Sequence, residues 1–163
     1  MKEGMSATEK KIEEKIFSTF GEVATGIGYS SLHGKIIAVL LVKGKPLSLP
    51  ELAKSTGYSS STISLSLDFL ELLGVIKRIK VSADRKLYIQ LQGDLLEALK
   101  KGIIIRLKKS ISDSLGDFTQ SKQDLQKLGG KNQKQLLKTI KILEKEIKRL
   151  EKYVELLNRI SLP

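Results

Sequence analysis

Ser60, Ser61, Thr62 and Ser64 place four short hydroxyls in the opening turns of a helix that the spacing predicts from Ser60 to Leu73. Such side chains can bond base edges and phosphate oxygens without holding a helix away from a major groove about 12 Å wide. The amides of the same helix start suit a phosphate. Downstream, Lys77, Arg78, Lys80, Arg85 and Lys86 set five cations within residues 77–86. Each phosphate neutralised by a cation releases counterions, so this cluster supplies attraction to a polyanion while the hydroxyls supply choice of sequence. Ser59 is read only as the helix cap. Serine also solvates surfaces, and a polar turn can be an ordinary one, so each cluster has a plain structural reading beside the functional one.

Other chemistries lack their residues. The chain has no Cys and one His, His33, which excludes disulfides, thiolate metal sites, thiol nucleophiles and a histidine cluster around a metal. No phosphate-binding loop, dinucleotide-binding glycine pattern or evident pair of catalytic carboxylates is present. The expectation is a protein that is not an enzyme, with no metal and no cofactor. Lys and Arg number 29 against 18 Asp and Glu, a formal charge of +11. It is distributed as −1 over residues 1–31, +5 over 32–93 and +7 over 94–163. That excess favours nucleic acid over a neutral partner, although a solvated Lys-rich surface competes with this reading. No run approaches the roughly 20 apolar residues that cross a bilayer, and the first turns lack the apolar centre of a signal peptide. A cytoplasmic, nucleoid-associated location without a membrane partner is expected.

Several helices and a hairpin must position these residues. Ser6 and Glu9 have capping-box spacing before Ile12, Ile16, Phe20 and Val23, predicting a helix from about 7 to 24. A second starts at Ser30 or Ser31 and stops at Gly44. Leu47 and Ser48 are extended, Ser48 caps a short helix over Leu49 to Thr56, and Gly57 ends it. In the next helix Ile63, Leu67, Leu70 and Leu73 form the buried face, with Gly74 as the stop. The period then changes to two. Val75, Ile79 and Val81 form one inward run and Leu87, Ile89 and Leu91 the other, a β-hairpin with Asp84 and Arg85 near its tip. Arg85 is there the residue best placed for a narrow A·T-rich minor groove.

The short helix, the glycine turn and the serine-led helix form a helix-turn-helix unit, and the hairpin makes a basic wing beside it. The run from Tyr29 to Gln92 resembles the GbsR branch of the MarR-type winged-helix regulators. Its most specific parts are Pro46 to Ala53 (PLSLPELA), the S-x-x-S-x-x-L-x-x-L pattern from Ser61 to Leu70, and Asp84-Arg85-Lys86. The resemblance implies a transcriptional regulator in which the helix carrying Ser60 to Leu65 reads the major groove. It further implies that the wing arginine, Arg85, reaches the minor groove and that flanking helices form a dimer. After the wing this chain has Leu91, Gln92 and Gly93 where many such proteins have Leu-Thr and a Gly.

From Asp94, Leu96, Leu99, Ile103, Leu107, Ile111, Leu115 and Phe118 predict a long helix, and Gly129-Gly130 separates it from a last helix over about Asn132 to Ile160. In that helix Leu136, Ile140, Leu143, Ile147, Leu150, Val154 and Leu157 step by four and three, a heptad seam with β-branched residues at a and leucine at d. That pattern favours a two-stranded pairing. Glu146 would then face Glu151 of a partner, which opposes a simple parallel zipper. The seam is therefore expected in a multi-helix dimer interface, the competing form being a helical hairpin within one chain.

The expected fold is thus mainly α with a small β-hairpin wing: an N-terminal helix contributing to the dimer over 1–28, a winged helix-turn-helix over 29–93, and a long helical dimerisation region over 94–163. The function expected is a homodimeric, sequence-specific regulator on a palindromic double-stranded DNA operator. A winged-helix module for binding other proteins in transcription or chromosome machinery is the alternative. A small-molecule effector is allowed for, without identity or pocket.

Overall fold

A computed structural model describes residues 5–80, 86–130 and 132–163. The chain divides into two compact units, Met1–Ala98 and Leu99–Pro163.

In the first unit, helix α1 (Ala7–Gly26) starts from the capping box expected of Ser6 and Glu9. The Ser6 amide donates to the Glu9 carboxylate at 2.6 Å, and the Glu9 amide donates back to Ser6 Oγ at 3.2 Å. Helix α2 (Ser31–Lys43) ends at Gly44, whose left-handed φ of 60° closes the last turn. The two helices approach closely because both are glycine at the contact. A Cβ on Gly34 would run into the Phe20 carbonyl, and one on Gly21 would meet the Ser31 hydroxyl. Lys43 adds an ion pair to Glu13 at 2.8 Å across the same helix pair.

Strand β1 (Leu47–Ser48) leads into α3 (Leu49–Thr56) and, after Gly57 at φ 76°, into α4 (Ser60–Leu72). Glu51 accepts from both the amide and the hydroxyl of Ser48, at 2.7 Å each, and these donors hold its carboxyl below the usual range. Leu32, Ile36, Leu52, Ile63, Leu70, Ile76 and Ile89 are fully buried and bind α2, α3, α4 and the sheet into one core. All four residues expected on the inner face of α4 are buried. Burying side chains of this size stabilises by about 1.5–3 kcal/mol each.

The sheet is antiparallel in the order β1-β3-β2, with β2 at Ile76–Lys80 and β3 at Leu87–Leu91. Here the expected register is corrected. Gly74, at φ 79°, turns the chain so that the Val75 amide bonds the Leu70 carbonyl, and the pleat begins only at Ile76. Ile76, Arg78 and Lys80 therefore share a face with Leu91, Ile89 and Leu87, their cross-strand partners, because opposed residues in an antiparallel pair point the same way. Ile79 belongs to the other face, with Tyr88 opposite. One residue of slip exchanges the two faces. Leu87, expected inward, is 48% exposed because it lies beyond the core at the far end of the strand. Val81 falls outside the described residues.

The second unit is a helical hairpin. Helix α5 (Leu95–Leu128) begins at the end of the first unit, where Asp94 Oδ1 accepts from the Leu96 and Glu97 amides. It runs unbroken through Gly102 and Gly116. After Gly129, at φ 58°, helix α6 (Gln133–Arg159) returns antiparallel. The pairings establish the direction: Lys122 with Glu144 at 2.5 Å, Lys108 with Glu155 at 2.9 Å, and the Lys100 ammonium with the Ile160 carbonyl at 2.5 Å.

The expected seam is split between two surroundings. Val154 is fully buried against Ile104 and Ile111, with Ile147, Leu157, Leu107 and Leu115 packed around them, and Ile140 is half-buried. Leu136, Leu143 and Leu150 stay 48%, 44% and 38% exposed. The a side thus packs within the chain, as the competing hairpin required, and the d side is open at Leu136, Leu143 and Leu150 but packed at Leu157. Acids are answered both across the helix pair, Glu144 by Lys122 and Glu155 by Lys108, and within one helix, Asp113 by Lys109 and Glu146 by Arg149.

Candidate nucleic-acid interface

Helix α4 carries the hydroxyl-bearing residues on its leading turn. Ser59, with extended backbone, accepts from the Thr62 amide at 3.2 Å and so is the cap. Its hydroxyl also lies 2.7 Å from Thr62 Oγ1 and 3.0 Å from Ser61 Oγ. Ser60, Ser61, Thr62, Ser64 and Leu65 are all exposed. Among the described residues, Ser60 and Ser64 have no hydrogen-bond partner for their hydroxyls. Leu65 is 75% exposed, an apolar surface of the kind that meets a thymine methyl. This turn is presented outward because Ile63, Ser66, Leu67 and Leu70 hold the opposite side in the core.

The wing cations separate into two groups. Lys77 and Lys80 on β2 and Lys86 before β3 are exposed. Arg78 is not presented as they are. The corrected register turns it toward α4, where one guanidinium nitrogen donates to Asp68 at 2.5 Å and another to Glu71. The bond to Asp68, with the charges of both acids, raises its pKa above the ordinary value. Arg78, expected among the DNA-contacting cations, therefore ties β2 to α4 and neutralises the acids there. Arg85, the expected minor-groove residue, and Asp84 lie outside the described residues.

Behind α4 is a feature that spacing did not single out. Phe69 packs on His33 at 5.0 Å between ring centroids and on Tyr29 at 5.6 Å, with His33 and Tyr29 edge to face. Burial holds the His33 pKa below its ordinary 6.5, and its Nδ1 is buried without a hydrogen bond among the described residues. Phe69 is neither on the inner stripe of α4 nor fully exposed, so no periodicity points to it.

Among the described residues no group of His, Cys, Asp and Glu could hold a metal. Among the described residues no helix is long and apolar enough to cross a membrane.

No family model matches the chain. No curated protein matches it either. Solved structures do. One described as a transcriptional regulator aligns at a TM-score of 0.60 with 20% identity, covering 91% of this chain and 97% of that one. A mutant of MepR from S. aureus bound to an oligodeoxyribonucleotide aligns at 0.43 with 17% identity, covering 90% and 99%. AbsC, a MarR family transcriptional regulator from Streptomyces coelicolor, aligns at 0.42 with 16% identity, covering 90% and 98%. The first of these shows that the fold is shared with a solved transcriptional regulator: helices around a small antiparallel sheet, in winged-helix form.

Proposed function

We propose that the protein is a non-catalytic, MarR-type regulator that binds double-stranded DNA by sequence, as a homodimer on a palindromic operator. The observation that carries this reading is the outward leading turn of α4, with its hydroxyls and Leu65 uncovered next to the Lys-bearing wing strand. Helix α4 enters the major groove with Ser60, Ser61, Thr62, Ser64 and Leu65 against base edges and phosphates. Lys77, Lys80 and Lys86 neutralise the backbone, Arg85 reaches the minor groove, and Arg78 positions α4 through its acids. The open leucines of α6, Leu136, Leu143 and Leu150, are covered by the second subunit. A DNA target places the protein in the cytoplasm on the nucleoid, and a small-molecule effector would act by changing the spacing of the two reading helices.

The test is selection of duplexes from a random pool, followed by affinity measurement across salt. Thr62→Ala should reduce discrimination between selected and random duplexes by about 1–3 kcal/mol if it makes a good base contact. Lys77→Ala with Lys80→Ala should leave the preferred sequence intact and flatten the log-log salt slope by about 0.9 per lost phosphate contact. If the pool yields no preferred sequence and neither variant differs from the parent, the reading surface is wrongly assigned. The exposure of Leu65 also suits a protein-binding module, which would bind its partner with little dependence on salt.

A further inference from the structure

Lys134, Lys138, Lys141, Lys145, Lys148 and Lys152 step by four and three along α6, and all six are exposed. At 100° per residue they fall within an arc of about 80°, over a length of about 27 Å. No acidic residue shares that arc. The covered residues Ile140, Ile147 and Val154 lie on the opposite side of the helix. Nearby cations behave otherwise: Lys108, Lys122 and Arg149 each hold a carboxylate. Among the described residues none of the six arc lysines makes an ion pair. Like charges three and four residues apart repel one another on a helix, so this arc lowers the stability of α6 unless something outside the chain neutralises it.

We propose that the lysine arc of α6 is a second nucleic-acid surface, binding the phosphate backbone of duplex DNA without regard to sequence. It shares its class of partner with the function proposed above but none of its residues. The chemistry fits phosphates and little else. Six flexible ammonium groups on one side offer point charges and no planar fork or base-reading group. The duplex carries one negative charge per about 1.7 Å of axis, enough to meet every lysine along the arc. An anionic membrane is the less suitable polyanion, because a helix that settles into the headgroups must also submerge an apolar face. In α6 Ile147 and Val154, opposite the lysines, are packed against α5, and the open leucines beside them, Leu136, Leu143 and Leu150, are the ones that the second subunit of the proposed dimer covers. The arc therefore adds affinity for duplex DNA of any sequence and leaves the choice of operator to α4.

The experiment compares the full chain with a variant carrying Lys141→Gln, Lys145→Gln, Lys148→Gln and Lys152→Gln, on a random-sequence duplex across salt. Glutamine keeps the helix-forming tendency of lysine, and circular dichroism checks that helicity is retained. The variant should lose at least about tenfold in affinity at low salt and up to about 3.6 in log-log slope, while a control carrying Lys141→Arg, Lys145→Arg, Lys148→Arg and Lys152→Arg, which keeps the charge, binds as the parent does. If the four-glutamine chain loses helicity, Lys145→Gln with Lys148→Gln should show about half the change in slope. Equal affinity and slope for a helical glutamine variant and the parent overturn the proposal. So does a result in which only binding to phosphatidylserine vesicles falls and duplex binding is unchanged. The ratio of selected to random affinity separates the two sites: the glutamine variant should keep it and Thr62→Ala should lose it. Loss of affinity in the glutamine variant of a chain that selects no sequence would uphold the lysine surface and sink the reading role of α4.

Discussion

The two units of this chain bury their apolar residues to different degrees. In the first, α1 to α4 and three strands gather Leu32, Ile36, Leu52, Ile63, Leu70, Ile76 and Ile89 around one centre with almost no exposure. In the second, two long helices meet over Ile104, Ile111 and Val154 and leave Leu136, Leu143 and Leu150 open. A pair of helices has only one mutual contact face, so an apolar stripe wider than that face is left in water unless a third element covers it. The first unit is thus complete as a core. The second leaves Leu136, Leu143 and Leu150 open, the surface that the proposed second subunit would cover.

The largest effect expected from this difference is at Gly34, where α1 and α2 touch. Gly34→Ala pushes a methyl group into the Phe20 carbonyl, and backbone cannot yield as a side chain tip does. A loss of about 3 kcal/mol or more is expected, at the upper end for overpacking, and urea unfolding measures it. A midpoint unchanged within error would mean that the helices are free to separate and that the first unit is less closely built than it looks. In the second unit, Val154→Ala should cost about 2 kcal/mol as a buried truncation. Leu143→Ala sharpens the contrast. An exposed leucine in a monomer should cost no more than about 0.5 kcal/mol, whereas a leucine at a subunit interface should make the unfolding midpoint depend on protein concentration. Concentration-independent unfolding of the parent, with Leu143→Ala neutral, removes the second subunit from α6.

How much of this was legible follows the strength of each periodic signal. Helix caps at Ser6, Ser48, Ser59 and Asp94 and stops at Gly44, Gly57 and Gly129 were readable because capping and left-handed turns each demand particular residue types. The inner stripe of α4 was readable from its spacing. The face of β2 was not, since Val75 and Ile76 are both apolar and only the turn at Gly74 decides which of them opens the pleat. That single residue also decided Arg78, which a composition-based reading gives to phosphate and the register gives to Asp68 and Glu71. The heptad of α6 correctly marked an apolar seam but could not divide it between a partner helix in the chain and one outside it. The closeness of Gly21 and Gly34 had no local signal, because a helix-interior glycine looks the same whether it is tolerated or required.

Arg78 offers a smaller test of how the wing is joined to α4. Its ion pairs are partly exposed, so Arg78→Gln should cost only about 1 kcal/mol of stability. DNA affinity should fall as well, since Asp68 and Glu71 are then left unneutralised beside the proposed reading face. Adding Asp68→Asn should restore part of that affinity. No restoration would indicate that Arg78 acts on phosphate directly.

The smallest effect concerns His33. Its pKa is depressed in the folded chain because burial beside Tyr29 and Phe69 disfavours the imidazolium. The unfolded chain binds the proton first as pH falls, so stability is greatest above the ordinary value of 6.5 and declines below it, until the folded form is protonated too. Glu51, held low by Ser48, keeps its contribution above the ordinary 4.5 and loses it only at more acid pH, below the range in which His33 is tested. Urea midpoints taken between about pH 7.5 and about pH 5 should therefore fall in the parent and stay level in His33→Phe, which preserves a ring against Phe69. A decline that persists in His33→Phe would assign it to other groups and would leave the packing behind α4 indifferent to pH.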